Sequence, residues 1–167
     1  MIVADAAPLI YLSKTGKLDL LKKLYGTVLV PSGVWDEVVT RAQGRPGASE
    51  LEKAREQGWV KTVRVSVARA LESEGAEGAD GEVISLARDK RLPLLTNDKV
   101  LASIAKSHGI RVKWLTQTVV EAVEKGNLSP REGRALLRDL VRAGLRVRSD
   151  VLTEIVNLLE NAQEDQG

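Results

Sequence analysis

Short apolar runs alternate with amphipathic stretches along the first two thirds of this chain, and that alternation leaves few folds open. Met1 to Ala4, Thr27 to Val30, Trp59 to Val67, Pro93 to Thr96 and Ile110 to Lys113 read as strands, being apolar and rich in β-branched residues. Between them the spacing predicts helices over Pro8 to Lys14, Lys17 to Tyr25, a stretch opening at Pro31, Ala48 to Gln57, Glu82 to Lys90 and Lys99 to Ser107. Leu18, Leu21 and Leu24 share one helical face, and Val34, Val38 and Val39 share another. Gln43 to Gly47 and Ser73 to Gly81 read as loops. Strands joined by helices argue for an α/β fold: a parallel sheet of four or five strands, covered on both faces as an α/β/α sandwich. The rest of the chain reads as extra helices, over Gln117 to Glu124, Pro130 to Ala143 and Asp150 to Asn161, with Ser129 and Ser149 as N-caps. The expected division is a core over 1–115, a helical extension of the same domain over 116–163, and a frayed tail over 164–167.

Composition narrows the chemistry. With no cysteine and one histidine, His108, the chain offers neither a thiolate site nor a multi-histidine zinc site. Lys+Arg (25) nearly balances Asp+Glu (23), so charge must be read locally rather than from the total. No apolar run approaches the ~20 residues of a membrane span, and the start lacks a signal-peptide layout, so a cytoplasmic protein without membrane attachment is expected.

The locally informative charges are acids. Asp5 follows the first strand and Asp98 follows Leu94-Leu95-Thr96. In open parallel sheets, sites form beyond the carboxyl ends of strands. Glu37 lies in the helix after the second strand, and Asp80 and Glu82 lie where a loop enters a helix. These acids can therefore meet at one sheet edge. Like charges a few ångströms apart are costly unless cations neutralise them, and oxygen-only ligands favour Mg²⁺ or Mn²⁺. Each acid also has an ordinary role open to it. Asp5, Asp80 and Asp98 suit helix N-caps, Glu82 suits a first helical turn, and Glu37 suits a solvated helix face.

Taken in order, these segments resemble a PIN-domain nuclease. Ile2-Val3-Ala4-Asp5-Ala6-Ala7-Pro8-Leu9-Ile10 is similar to the family's opening strand, metal-binding aspartate and helix. Val30-Pro31-Ser32-Gly33-Val34-Trp35-Asp36-Glu37-Val38 resembles its second motif. Asp80 through Leu86-Ala87, then Pro93-Leu94-Leu95-Thr96-Asn97-Asp98, resemble the third and fourth. The run from Leu12 to Leu21 and the helical C-terminus are similar to a prokaryotic subgroup related to VapC-type toxins. The resemblance implies metal ligation by Asp5, Glu37, Asp80 and Asp98, directly or through water, with Glu82 as a further acid beside Asp80. It implies an Mg²⁺- or Mn²⁺-dependent endoribonuclease acting on single-stranded or structured RNA, with a cognate antitoxin protein as partner. The sequence departs from the family pattern at Ala6 and Ala7, where a hydroxyl residue often stands, and at Lys99, where an acid often follows. Those departures motivate a second reading, a catalytically weak or inactive PIN-fold module that binds RNA or protein. A third, a phosphoryl enzyme with Asp5 as nucleophile, lacks the phosphate-binding base and second acid it would need.

Other features carry two readings each. Arg134, Arg138, Arg142 and Arg146, flanked by Arg131 and Arg148, form a basic stripe if the helix is continuous, for RNA phosphates or simply for solvent; Gly144 is a potential break before Arg146. Trp35, Trp59 and Trp114 suit base stacking or core packing. Thr96 offers a hydroxyl beside Asp98, for orienting a water or for bonding its own backbone. His108, followed by Gly109, reads as a helix end. The apolar faces of the helices from Gln117 onward predict a homodimer.

Overall fold

The computed structural model describes residues 1–165, with the side chains of residues 1–161. A five-stranded, all-parallel sheet forms its centre in the order β3-β2-β1-β4-β5, from β1 (Ile2–Ala4), β2 (Val28–Pro31), β3 (Val60–Val63), β4 (Leu94–Leu95) and β5 (Val112–Lys113). Ile2, Val3 and Ala4 are all fully buried, as a central parallel strand covered on both faces must be. The edge strand β3 exposes Lys61 and Thr62, which blunts its free side.

The strands are shorter than the sequence pattern predicts, because a ladder extends only as far as its neighbour. The expected strand Trp59 to Val67 ends at Val63, whose partner is Pro31. Pro31 lacks the N–H needed to continue the ladder and turns the chain into a helix. It stands as the last residue of β2, with ψ 150°, rather than in the first helical turn where the sequence reading put it.

The helices are α1 (Ala6–Lys14), α2 (Asp19–Tyr25), α3 (Ser32–Trp35), α4 (Ala48–Glu56), α5 (Arg69–Ser73), α6 (Gly78–Lys90), α7 (Lys99–Ser107), α8 (Leu115–Glu124), α9 (Pro130–Arg142) and α10 (Ser149–Asp165). Helix α3 runs on into a π-helical turn over Asp36–Thr40, closed by the Arg41 N–H on the Asp36 carbonyl at 2.8 Å. The expected loop from Ser73 to Gly81 is shorter: Ser73 still belongs to α5 and Gly78 to Gly81 belong to α6, leaving 74–77 between them. Helix α6 begins at Gly78, so Asp80 lies inside its first turn and Glu77 takes the N-cap position. Glycines disguised this helix. At Gly81 the reason is packing: a Cβ there would stand 2.5 Å from Val67 Cγ1 and 2.8 Å from the Ala76 carbonyl oxygen.

The C-terminal helices join the same core. Leu136, Leu137 and Leu140 of α9 and Ile155 and Leu159 of α10 are buried in one continuous cluster with the strands. Ser129 caps α9 as expected, in a reciprocal box with Glu132. Ser149 is the first residue of α10 rather than the residue ahead of it. That helix runs to Asp165, beyond the expected end at Asn161; residues 166–167 of the expected tail lie outside the described residues. Among the described residues, no helix is long and apolar enough to cross a membrane.

Candidate functional site

Strand order reverses beside β1: the chain first adds β2 and β3 on one side, then crosses to place β4 and β5 on the other. The crevice beyond the carboxyl ends of β1 and β4 is therefore the topological switch point, where open α/β sheets bind ligands. Asp5 leaves β1 there, and Asp98 opens α7 just past β4.

Thr96 wires the two aspartates together. It is fully buried; its hydroxyl donates to Asp5 Oδ2 at 3.0 Å and accepts from the Asp98 N–H at 3.1 Å. With its one hydroxyl proton given to Asp5 and no surface open to solvent, Thr96 orients that carboxylate rather than a water. Asp5 Oδ1 also accepts from the Ala6 N–H at 2.8 Å, and Asp98 Oδ1 accepts from the Leu101 N–H at 2.9 Å. Both aspartates thus cap the helices they precede, and the ordinary role holds alongside any chemical one. Asn97, between Thr96 and Asp98, accepts from the Leu115 N–H at 3.2 Å and so ties this corner to the start of α8.

Asp80 and Glu37 stand at the exposed rim. Partial burial pushes the Asp80 carboxyl above the usual aspartate range, and Asp5, Asp98 and Glu37 push it further. Burial likewise raises Asp5 against the pull of its hydrogen bonds from Ala6 and Thr96, with Asp98 adding to the push. The charges acting on Asp80 are all carboxylates, so the fold gathers like charge at the switch point without compensating it.

Glu82 makes a bond of its own between two helices. Its Oε2 accepts from the Gly33 N–H at 3.0 Å, linking α6 to the start of α3. Gly33 stands two residues after Pro31, where an α-carbon without a side chain lets another group reach an unpaired helical N–H.

The donor set at the switch point is oxygen only, and its charge is negative and uncompensated. Both properties fit a hard divalent cation such as Mg²⁺ or Mn²⁺. Among the described residues, however, no three histidine, cysteine, aspartate or glutamate side chains are drawn together tightly enough to hold one metal ion as they stand. Asp5, Glu37, Asp80 and Asp98 are the residues whose donors and charge would suit such an ion.

Arg138 and Arg142 are exposed on α9 and Arg134 is half-buried there, on the face away from Leu136, Leu137 and Leu140. Gly144, at φ +111°, follows the end of the helix, so Arg146 lies off the stripe. Trp35 and Trp59 are core residues; Trp35 carries the Arg55 guanidinium 4.4 Å over its ring, and Trp59 donates to Gln57. Trp114 is half-buried under Lys106. His108 ends α7 and pairs with Glu74 at 2.7 Å.

The family model of the PIN domain DUF3368 matches residues 1–161. The chain belongs to the PIN domain family, whose members are generally metal-dependent nucleases. Among solved structures, it is similar to a PilT N-terminus domain protein from the hyperthermophilic archaeon Sulfolobus solfataricus P2, at 13% identity and a TM-score of 0.52, over 74% of this chain and 93% of that one. At that identity the likeness is one of fold. No curated protein matches the chain.

Proposed function

We propose that this protein is an Mg²⁺- or Mn²⁺-dependent endoribonuclease. The observation that supports this reading is that Asp5, Asp98 and Glu37 lie near enough to Asp80, around the switch point, for each to raise the cost of ionising it. A divalent cation there would offset that repulsion. When bound, it supplies charge stabilisation at the scissile phosphate and eases ionisation of the attacking water. The protein's part is orientation. Thr96 and the Ala6 N–H fix Asp5, the Leu101 N–H fixes Asp98, and Asp80 and Glu37 close from the rim. Arg134, Arg138 and Arg142 of α9 suit the phosphates of single-stranded or structured RNA.

Histidine chemistry has little support. Ribonucleases that use the 2′-hydroxyl as nucleophile need a general acid–base pair, and His108, the one histidine, is taken by Glu74. Water is therefore expected to attack phosphorus directly and expel the 3′-oxygen. The purified protein should cut RNA with Mg²⁺ or Mn²⁺, stop in excess EDTA, and leave 5′-phosphate and 3′-hydroxyl ends. Undiminished cleavage in EDTA, or 2′,3′-cyclic phosphate as the main product, would sink the proposal.

The narrower reading is the toxin of a type II pair, with a cognate antitoxin protein, acting as a cytoplasmic homodimer. Val141 on α9 and Leu158 on α10 are large apolar residues left exposed, and they support a dimer contact through these helices. Light scattering at micromolar protein should give twice the 18.1 kDa chain mass; a monomer mass counts against it. A catalytically weak or inactive PIN-fold binding module is the second reading. It draws support from Ala6 and Ala7 after Asp5 and from the acids' standing apart as described. Binding of RNA without any metal-stimulated cleavage would favour it.

A further inference from the structure

The helix that carries Glu37 and the helix that carries Asp80 come from distant parts of the chain, and neither carboxylate can help hold the other in place, since both are negative. Something else must fix their spacing. Helix α3 opens at Ser32, and its first N–H groups have no partner within the helix. One of them, on Gly33, points at α6 and is met by Glu82 Oε2 at 3.0 Å. Glu82 lies two residues beyond Asp80 on α6, and Gly33 lies four residues before Glu37, so one bond joins the two rims of the acid site. Packing repeats the message: a Cβ on Gly33 would stand 2.1 Å from Glu82 Oε2, 3.2 Å from Ala79 Cβ and 3.3 Å from Ala79 Cα. A Cβ there would push the Glu82 carboxylate aside and crowd Ala79 by a few tenths of an ångström. On the far side, Ser32 Oγ donates to the Val63 carbonyl at 3.1 Å and fastens the same helix start to the edge strand.

We infer that Glu82 is a positioning residue, not a metal ligand: its carboxylate clasps the Gly33 N–H and so sets the distance between the Glu37 and Asp80 carboxylates. The purpose of the clasp rests on the metal-dependent reading above. A glutamate on an unpaired helical N–H is electrostatically favoured, and the bond needs only an oxygen acceptor. A ligand role would need the negative charge. Glu82→Gln keeps an amide oxygen for Gly33 and removes the charge; Glu82→Ala removes both. Gly33→Ala pushes the carboxylate off while leaving every acid in the sequence.

Two measurements test this. The first is amide exchange at Gly33 by NMR in the metal-free protein, with the core amides of Val3 and Leu94 as a check on folding. Exchange at Gly33 should quicken about tenfold or more in Glu82→Ala and stay near wild type in Glu82→Gln, while the core amides hold in both. The second is the Kd for Mn²⁺ by calorimetry. Glu82→Ala and Gly33→Ala should each weaken it about tenfold, the lower end of what losing a supporting residue behind a metal site costs, and Glu82→Gln should stay within about threefold. A Glu82→Gln protein as weak for Mn²⁺ as Glu82→Ala overturns the inference in favour of direct ligation. Unchanged Gly33 exchange in Glu82→Ala overturns the clasp itself. A wild-type protein that binds no Mn²⁺ overturns the metal-dependent reading instead, and the clasp then stands or falls on Gly33 exchange alone.

Discussion

Asp80 and Glu121 are both carboxylates on helices that flank one sheet, and the fold treats them in opposite ways. Around Asp80 every acting charge is another acid, and with partial burial they push its carboxyl up. Burial pushes Glu121 up as well, but hydrogen bonds from Lys125, Lys113 and Tyr25 together pull it below the usual glutamate range. Lys113 Nζ and Lys125 Nζ each stand 2.9 Å from a Glu121 oxygen, and Tyr25 donates at 3.1 Å. Burial then holds the Tyr25 hydroxyl up at about 12, with Glu121 adding to the effect. Since Tyr25 ends α2, Lys113 ends β5 and Glu121 lies in α8, this network joins three elements. It is built for stability. The Asp80 cluster is a standing cost, which folds retain where charge has a use.

Breaking the cluster should have the largest effect. Asp80→Asn should lower metal-dependent RNA cleavage by at least about a hundredfold, the upper end of what losing mere supporting residues costs. The same change should leave the metal-free melting temperature equal or raised by up to about 2 °C, since it removes repulsion and no cap. A clear drop in melting temperature would show that Asp80 carries structural weight instead. Asp98 offers a contrast within the cluster: asparagine there keeps the bond to the Leu101 N–H, while alanine gives it up at about 1 kcal/mol.

Breaking the network should act on stability alone. Glu121→Ala should cost about 1–3 kcal/mol in urea unfolding, because it strips three charge-assisted or buried hydrogen bonds, and should leave cleavage within about twofold. Acid titration separates the regions by sign. Asp80 and Asp5 bind protons more readily folded than unfolded, so their ionisation lowers stability as pH rises through the raised range, and mild acidification of the metal-free protein restores it. Glu121 has the opposite sign. Its contribution is full above the ordinary glutamate pKa and is lost as pH falls through the lowered folded value. Unfolding measured at stepped pH should therefore show a smaller mild-acid gain in Asp80→Asn, with the share of Asp5 remaining, and a smaller strong-acid loss in Glu121→Ala. Identical profiles for wild type and both variants would undo the comparison.

The smallest effect is expected at His108. Its pairing with Glu74 sits outside both groups, partly exposed at 20% and 42% of the side chains. His108→Ala should leave cleavage within about tenfold, short of the 10²–10⁴ that a lost general acid–base costs. A larger loss would bring histidine chemistry back into the site.

Much of the fold was legible because it depends on local pattern. The apolar run Ile2-Val3-Ala4 reads as a strand, and Ser129-Pro130 as the start of a helix, and both are so in the structure. The motif order placed Asp5 and Asp98 at the ends of separate strands; that these strands, β1 and β4, pair directly is a fact of the tertiary structure. Three things were hidden. Glycines at 75, 78 and 81 masked the start of α6, because the Val67 contact that demands Gly81 is not in the local sequence. The length of β3 was hidden, because it is set by where β2 stops at Pro31. The direction of each side chain was hidden most of all. Spacing along the chain makes Glu82 look like a twin of Asp80, yet one bonds the Gly33 N–H while the other stands among the acids. The amino-acid order by itself determined which segments are strands and helices and which residue types were at hand, since periodicity and capping act over a few residues. Which acids gather, which are compensated and which hold helices together was decided only by tertiary structure, because hydrogen bonds and like-charge repulsion act across ångströms between elements that lie tens of residues apart.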